Sequence, residues 1–145
     1  QAETLDRPVG ERWWQVQTVR RSPDDGMPIA SSTILIPDAY RAVLRKIDRT
    51  VEPIFALIQK GFGQEIKEIW QDICATATDE AEAGILGVVA GHPALSIERR
   101  YFGRTGELFE VSRSVHPAGA FRYSMRMRLG IAGRQRAFQT DLHSR

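Results

Sequence analysis

Apolar and polar residues alternate with a period of two across 13–21 and again across 28–36, which predicts two strands. Between them, Ser22-Pro-Asp-Asp-Gly26 reads as a tight turn: the proline fixes φ, an aspartate bonds back to the backbone and the glycine accepts a positive φ. A second hairpin is predicted over 93–117, with Gly103-Arg-Thr-Gly106 as its turn. In the last strand of that hairpin Phe109, Val111 and Val115 alternate with Glu110, Ser112, Ser114 and His116, so the four polar groups share one face. That face is either wet surface or the wall of a pocket.

Helical spacing appears between the hairpins. Tyr40, Val43, Leu44 and Ile47 fall at i, i+3, i+4 and i+7 after a start at Pro37-Asp38, with Arg41, Arg45, Lys46 and Arg49 on the other side. Pro53 suits a first turn, and Ile54, Leu57 and Ile58 give a short second helix that Gly61 and Gly63 end. Residues 65–76 are ambiguous: Ile66, Ile69, Trp70 and Ile73 have helical spacing, whereas the β-branched and aromatic composition favours a strand. Periodicity alone predicts helix there. Asp79 and Glu82 have capping-box spacing before a short helix closed by Gly87. Phe121, Tyr123, Met125, Met127 and Leu129 alternate with Arg122, Ser124, Arg126 and Arg128, which predicts a final half-buried strand over 121–129. The domain is expected to run over 1–131, followed by a polar tail over 132–145.

The two hairpins show a faint internal repeat. Gly10 pairs with Gly91 and Val16 with Ile97; after a one-residue adjustment Arg20 pairs with Arg100, Gly26 with Gly106, Ser32 with Ser112 and Pro37 with Pro117. Chance and duplication both account for these matches. If the repeat is real, the hairpins join as one antiparallel sheet with the intervening helices on a face, an α+β domain.

Composition narrows the class of function. The 145 residues, 42% hydrophobic and 26% charged, fit one globular domain. A formal charge of +2 does not mark a nucleic-acid surface, and the late arginines Arg122, Arg126, Arg128, Arg134 and Arg136 read as a solvated strand face and tail more readily than as a phosphate stripe. Cys74 is the only cysteine, so no intrachain disulfide forms and no thiolate cluster holds a metal; a reducing compartment, the cytoplasm, is expected. No apolar run approaches the roughly 18 to 20 residues that a membrane span needs. A start at Gln1 points to a piece of a longer chain. The sequence has no Gly-rich phosphate loop, no His-Glu-x-x-His and no Gly-x-Ser-x-Gly, and Ser112 and His116 stand roughly 13 Å apart along a strand, too far for a nucleophile and its base. Neither a cofactor nor a metal is expected.

The run Leu86-Gly-Val-Val-Ala-Gly-His-Pro-Ala-Leu-Ser-Ile-Glu-Arg-Arg-Tyr, then Gly-Glu-Leu-Phe-Glu-Val-Ser-Arg-Ser-Val-His-Pro and Phe121-Arg-Tyr-Ser, resembles the UTRA domain. This is the effector-binding half of GntR-type transcriptional regulators of the HutC subfamily. Upstream, Val19-Arg-Arg-Ser-Pro-Asp-Asp-Gly-Met-Pro28 and Leu35-Ile-Pro37 are similar to the family's early arginine-containing strand, its Asp-Gly-x-Pro turn and its strand ending in proline. The resemblance covers roughly residues 8–129. It implies a chorismate-lyase-like fold, a small-metabolite pocket on a central antiparallel sheet, a homodimer, and operator DNA bound only through a winged helix-turn-helix domain outside these residues. It also implies that 65–76 is a strand.

By the same resemblance Arg20 matches the family's anion-binding arginine and Glu110 its pocket glutamate. Six residues after that glutamate many members carry tyrosine, where this chain has His116. A second family arginine is replaced by Ser22, with Arg21 nearby. A guanidinium offers a planar fork to a carboxylate or phosphate, so Arg20 or Arg100 would fix an acidic group. Glu110 would accept from a hydroxyl or amine, and Ser112, Ser114 and His116 would add hydrogen bonds. The sequence leaves bland alternatives open. Arg100 pairs equally well with Glu98 or Glu107, the Glu-Ser-Ser-His face suits solvent, and His116 before Pro117 suits a turn cap; His92 before Pro93 reads as structural. Whether Arg21 or Arg99 joins the pocket is open. Two other functions compete with effector sensing: a chorismate-lyase-like enzyme, and a dimerisation module without a ligand.

Overall fold

The computed structural model describes residues 10–130. In chain order the elements are β1 (Trp13–Arg21), β2 (Pro28–Pro37), a 3-10 helix (Asp38–Arg49), α1 (Ile54–Phe62), β3 (Glu68–Ala77), α2 (Glu80–Leu86), β4 (Pro93–Phe102) and β5 (Leu108–Pro117). The five strands form one antiparallel sheet in the order β1-β2-β5-β4-β3. The hairpins β1-β2 and β4-β5 meet through β2 and β5, with Ser32 opposite Ser114 and Ile34 opposite Ser112. The fold is α+β, as expected.

Register decides what each face carries, because cross-strand partners point to the same side. Trp14 and Arg20 of β1 share a face with their partners Ile36 and Ala30 of β2, and Val16 shares it with Ile34. Ser112, Ser114, Ile97, Arg99 and Tyr101 continue that face across β5 and β4. At one end the face is apolar and covered: Ile36, Tyr101 and Phe109 pack with Val43 of the 3-10 helix and with Ile54, Leu57 and Ile58 of α1. A register irregularity after Tyr101 skips Phe109, which joins that cluster as a fully buried ring. At the other end the face lies open. The opposite face carries α2, where Leu86 packs with Ala94 and Val115.

The helix after Pro37 is 3-10, whereas the apolar spacing predicts an α-helix. Pairs three apart, such as Tyr40 with Val43 and Leu44 with Ile47, stay on one side in either form, so the pattern does not separate them. Trp14 Nε1 anchors its start by donating to Asp38 Oδ1 at 2.6 Å. α1 ends at Gly63, which takes the left-handed conformation (φ 64°) that a side chain would strain. α2 begins with the predicted capping box, Asp79 accepting from the Glu82 N–H while Glu82 accepts from the Asp79 N–H.

Residues 68–77 are an edge strand, as the family resemblance implies and against the helix that periodicity predicts; both faces of β3 are exposed over most of its length, and the usual alternation is lost. One expectation changes. Residues 121–129 do not join the sheet. They form no strand beyond a single bridge residue at Arg126, and Met125, Met127 and Leu129 are exposed. Alternation marks a strand that needs a surface to bury against, and the described residues offer these three side chains none. The polar tail over 132–145 lies outside the described residues. Among the described residues no helix is long and apolar enough to cross a membrane.

Phe109 fills the join between sheet and helices with no exposed surface. Phe109→Ala is expected to cost about 3–5 kcal/mol of stability, measured as a lowered urea midpoint at an unchanged slope.

Candidate functional site

Where the helices stop covering the sheet, a cavity of about 260 Å³ opens on the same face. Its floor is Ser32, Ser112 and Ser114 from β2 and β5, with Ala30 and Ile97 beside them. Arg20 reaches it from β1 and Arg99 from β4, while His116 and Phe121 form the remaining wall. Their rings stack with centroids 4.0 Å apart and planes 28° from parallel. Ser32 Oγ and Ser114 Oγ share a hydrogen bond at 2.7 Å, tying the two hairpins together at the middle of the floor.

The cavity is electropositive. It receives two guanidiniums, and none of the described residues lining it is a carboxylate. Arg99 Nε donates to the Gln71 Oε1 amide oxygen at 2.7 Å, and Gln71 Nε2 donates to the Tyr123 hydroxyl at 3.3 Å. The His116 pKa is pushed down to about 4, first by burial and then by the charges of Arg20 and Arg99, so its imidazole is neutral near pH 7 and offers one donor and one acceptor. Such a site binds a small acidic molecule through charge-assisted hydrogen bonds, with hydroxyls and an imidazole to position the rest.

Glu110 stands on β5 between the helix-covered core and the serine floor. It is 3% exposed and its Oε2 has no hydrogen-bond partner among the described residues. Burial raises its pKa to about 8, so at neutral pH it is a protonated acid. Its cross-strand partner Tyr101 has its own pKa raised by burial and, secondly, by the Glu110 carboxyl. A protonated Glu110 donates as well as accepts, in contrast to the acceptor that its sequence position predicts. Among the described residues no group of His, Cys, Asp and Glu is placed to hold a metal.

Comparison with known proteins gives this arrangement a family. The UTRA domain matches residues 1–122. The chain belongs to the UTRA domain family. It is an effector-binding domain of a transcription regulator. Solved structures share the fold. The C-terminal domain of the histidine utilization repressor from Pseudomonas syringae pv. tomato is 22% identical with a TM-score of 0.72, the match covering 86% of this chain and 85% of that one. The ligand-binding domain of a GntR-family transcriptional regulator from Bordetella bronchiseptica is 21% identical with a TM-score of 0.69, covering 83% and 76%. PhnF from Mycobacterium smegmatis is 21% identical with a TM-score of 0.73; the match covers 85% of this chain and only 53% of PhnF. Curated proteins give no match.

In this UTRA domain Arg20, Ser112, Ser114 and His116 come together at the cavity. Glu110 shares their face but lies buried beside the cavity, outside its lining. Arg100 does not reach it. Arg100 stands opposite Val111 on the other face and pairs with Glu98 at 2.9 Å, the bland alternative, while its neighbour Arg99 faces the cavity. The likeness between hairpins aligned Arg20 with Arg100, but a one-residue shift reverses the face of a strand residue. Sequence reasoning missed Ser32 and Phe121 as lining residues and left Arg21 and Arg99 open; of those two, Arg99 lines the cavity. Ser32 was legible in the repeat, where it pairs with Ser112, whereas Phe121 lines the cavity only because the chain turns back at 117–120.

Two buried groups give stability opposite slopes in pH. Glu110 is raised from 4.5 to about 8, so the folded state holds its proton more tightly; that advantage is full below 4.5 and lost as pH rises through about 8. His116 is lowered from 6.5 to about 4, so its contribution is present above 6.5 and lost as pH falls through about 4. Glu110→Gln is expected to gain on the wild type as pH rises from 4.5 to 8, by at least about 1.4 kcal/mol at the upper end, in urea unfolding at a series of pH values.

Proposed function

We propose that the cavity binds a small anionic metabolite, and that occupancy shifts a homodimer between two arrangements that present a winged helix-turn-helix domain, outside these residues, differently to operator DNA. The observation that carries this reading is the pair of guanidiniums, Arg20 and Arg99, at a cavity with no carboxylate in its described lining. Both guanidiniums depress the neighbouring imidazole, and an acidic ligand complements their charge. Ser32, Ser112 and Ser114 then read hydroxyl or carbonyl groups on its body, and the protonated Glu110 stands behind them.

For such a ligand to act as a signal it must favour one arrangement over the other, by about 1–3 kcal/mol in typical regulators. The exposed apolar groups Ile69, Trp70, Met125 and Met127, on the edge strand and the segment after β5, support a second copy as the partner. The reading includes a cytoplasmic regulator that needs no cofactor.

A thermal-shift screen over sugar phosphates, sugar acids, amino acids and aromatic carboxylates tests this. At least one acidic class is expected to raise Tm, because binding to the folded state alone stabilises it by about 2.7 kcal/mol at a hundredfold excess over Kd. Arg20→Ala and Arg99→Ala should each weaken that ligand about tenfold or more, as expected for hydrogen bonds to a charged group. Stabilisation only by neutral compounds, or an unchanged response in both variants, would sink the anionic reading.

A further inference from the structure

Gln71 lies on the edge strand β3, directly opposite Arg99 on β4 and outside the cavity lining. Its amide makes two contacts at once, accepting from Arg99 Nε at 2.7 Å and donating to the Tyr123 hydroxyl at 3.3 Å. The orientation of the amide follows from the chemistry: a guanidinium has no acceptor, so the oxygen faces Arg99 and the NH₂ group faces Tyr123. Nε is thereby occupied from the strand side, and the guanidinium also interacts with the Tyr101 hydroxyl, so the remaining donors of Arg99 are those that an acidic ligand meets.

The identity of this partner is informative. Arg41, Arg100, Arg104 and Arg113 each pair with a carboxylate, on Asp38, Glu98, Glu65 and Glu82 respectively. Arg99 is held by a neutral oxygen instead, as is the exposed Arg21, which donates to the Gly26 carbonyl at 3.1 Å. Glutamate is isosteric with glutamine and would make the same contact, but its charge would cancel that of Arg99. Relying on the reading of the cavity as an anion site, we propose that Gln71 is a positioning residue for ligand binding: it aims Arg99 into the cavity while leaving the guanidinium charge for the ligand, and its second bond ties the seated arginine to Tyr123 of the segment that leaves the sheet.

His116 reports the field inside the cavity. The charged groups acting on it are Arg20 from β1 and Arg99 from β4; β5 and β2 contribute the uncharged hydroxyls of Ser114 and Ser32, and the following segment contributes the Phe121 ring. Glu110 and Tyr101 lie further along the same face. Partial cancellation of Arg99 therefore raises the pKa of His116 without any ligand present.

The test follows the His116 ring resonances by NMR across a pH series in the wild type, Gln71→Glu and Gln71→Ala, alone and with inorganic phosphate as the probe. Gln71→Glu is expected to raise the His116 pKa by at least half a unit, about threefold in proton affinity, while Gln71→Ala, which leaves the charge in place, moves it less. The Tm of ligand-free Gln71→Glu should equal or exceed that of the wild type, which separates lost binding from lost folding. Phosphate should bind Gln71→Glu at least about tenfold more weakly than the wild type, the equivalent of ~1.4 kcal/mol. An unchanged His116 pKa in Gln71→Glu, or equal phosphate affinity in the two proteins, overturns the proposal. A raised pKa in Gln71→Glu with no phosphate effect on the wild type overturns the anionic reading and leaves the assignment of the Arg99 charge standing.

Discussion

The structure depends on one sheet face that is only partly covered. A face shared by five antiparallel strands presents Trp14, Ile36 and Tyr101 at one end and Arg20, Ser32 and Ser114 at the other. The 3-10 helix and α1 are apolar on one side and bury the first end. They cannot bury the second, because a guanidinium or hydroxyl without a partner costs too much under an apolar helix. A single face therefore supplies both the main core and the binding recess. The boundary between them runs through Glu110, whose buried carboxyl has an oxygen without a partner among the described residues.

That boundary explains the electrostatics. Moving from core to cavity along β5, the chain passes from Phe109 through a protonated Glu110 to serines and then to a neutral histidine. Burial controls the protonation of both titratable groups, suppressing the negative charge of the glutamate and the positive charge of the histidine. What remains charged is the pair of arginines. The positive sign of the cavity rests on those two side chains.

Much of the fold was legible in the sequence, because period-two alternation is imposed wherever a strand has one buried face. β1, β2, β4 and β5 satisfy that condition and match their predicted ranges closely. β3 does not satisfy it: it is exposed on both faces over most of its length, and the spacing of Ile69, Trp70 and Ile73 imitates a helix; resemblance to a family resolved what periodicity misread. The strand predicted over 121–129 shows the reverse failure, a regular alternation without a neighbouring strand to pair with. At the site, alternation correctly gathered Ser112, Ser114 and His116, since they lie on one strand. It was weaker across strands. Arg99 and Arg100 are adjacent in sequence and face opposite sides, and only the register with β5 shows which of them meets Ser112.

The back of the sheet adds a mechanical link. Arg113 lies between the two floor serines of β5 but points the other way, where Glu82 Oε1 accepts from it at 2.8 Å. The other oxygen of Glu82 closes the capping box at the start of α2. A single carboxylate thus clasps the strand to the helix terminus through both its oxygens. Any roll of β5 about its own axis that reorients Ser112 and Ser114 swings Arg113 in the opposite sense and pulls on the first turn of α2. At its other end the same seven-residue helix packs Leu86 on Val115, so α2 is fastened at both ends to the strand whose opposite face carries the floor serines.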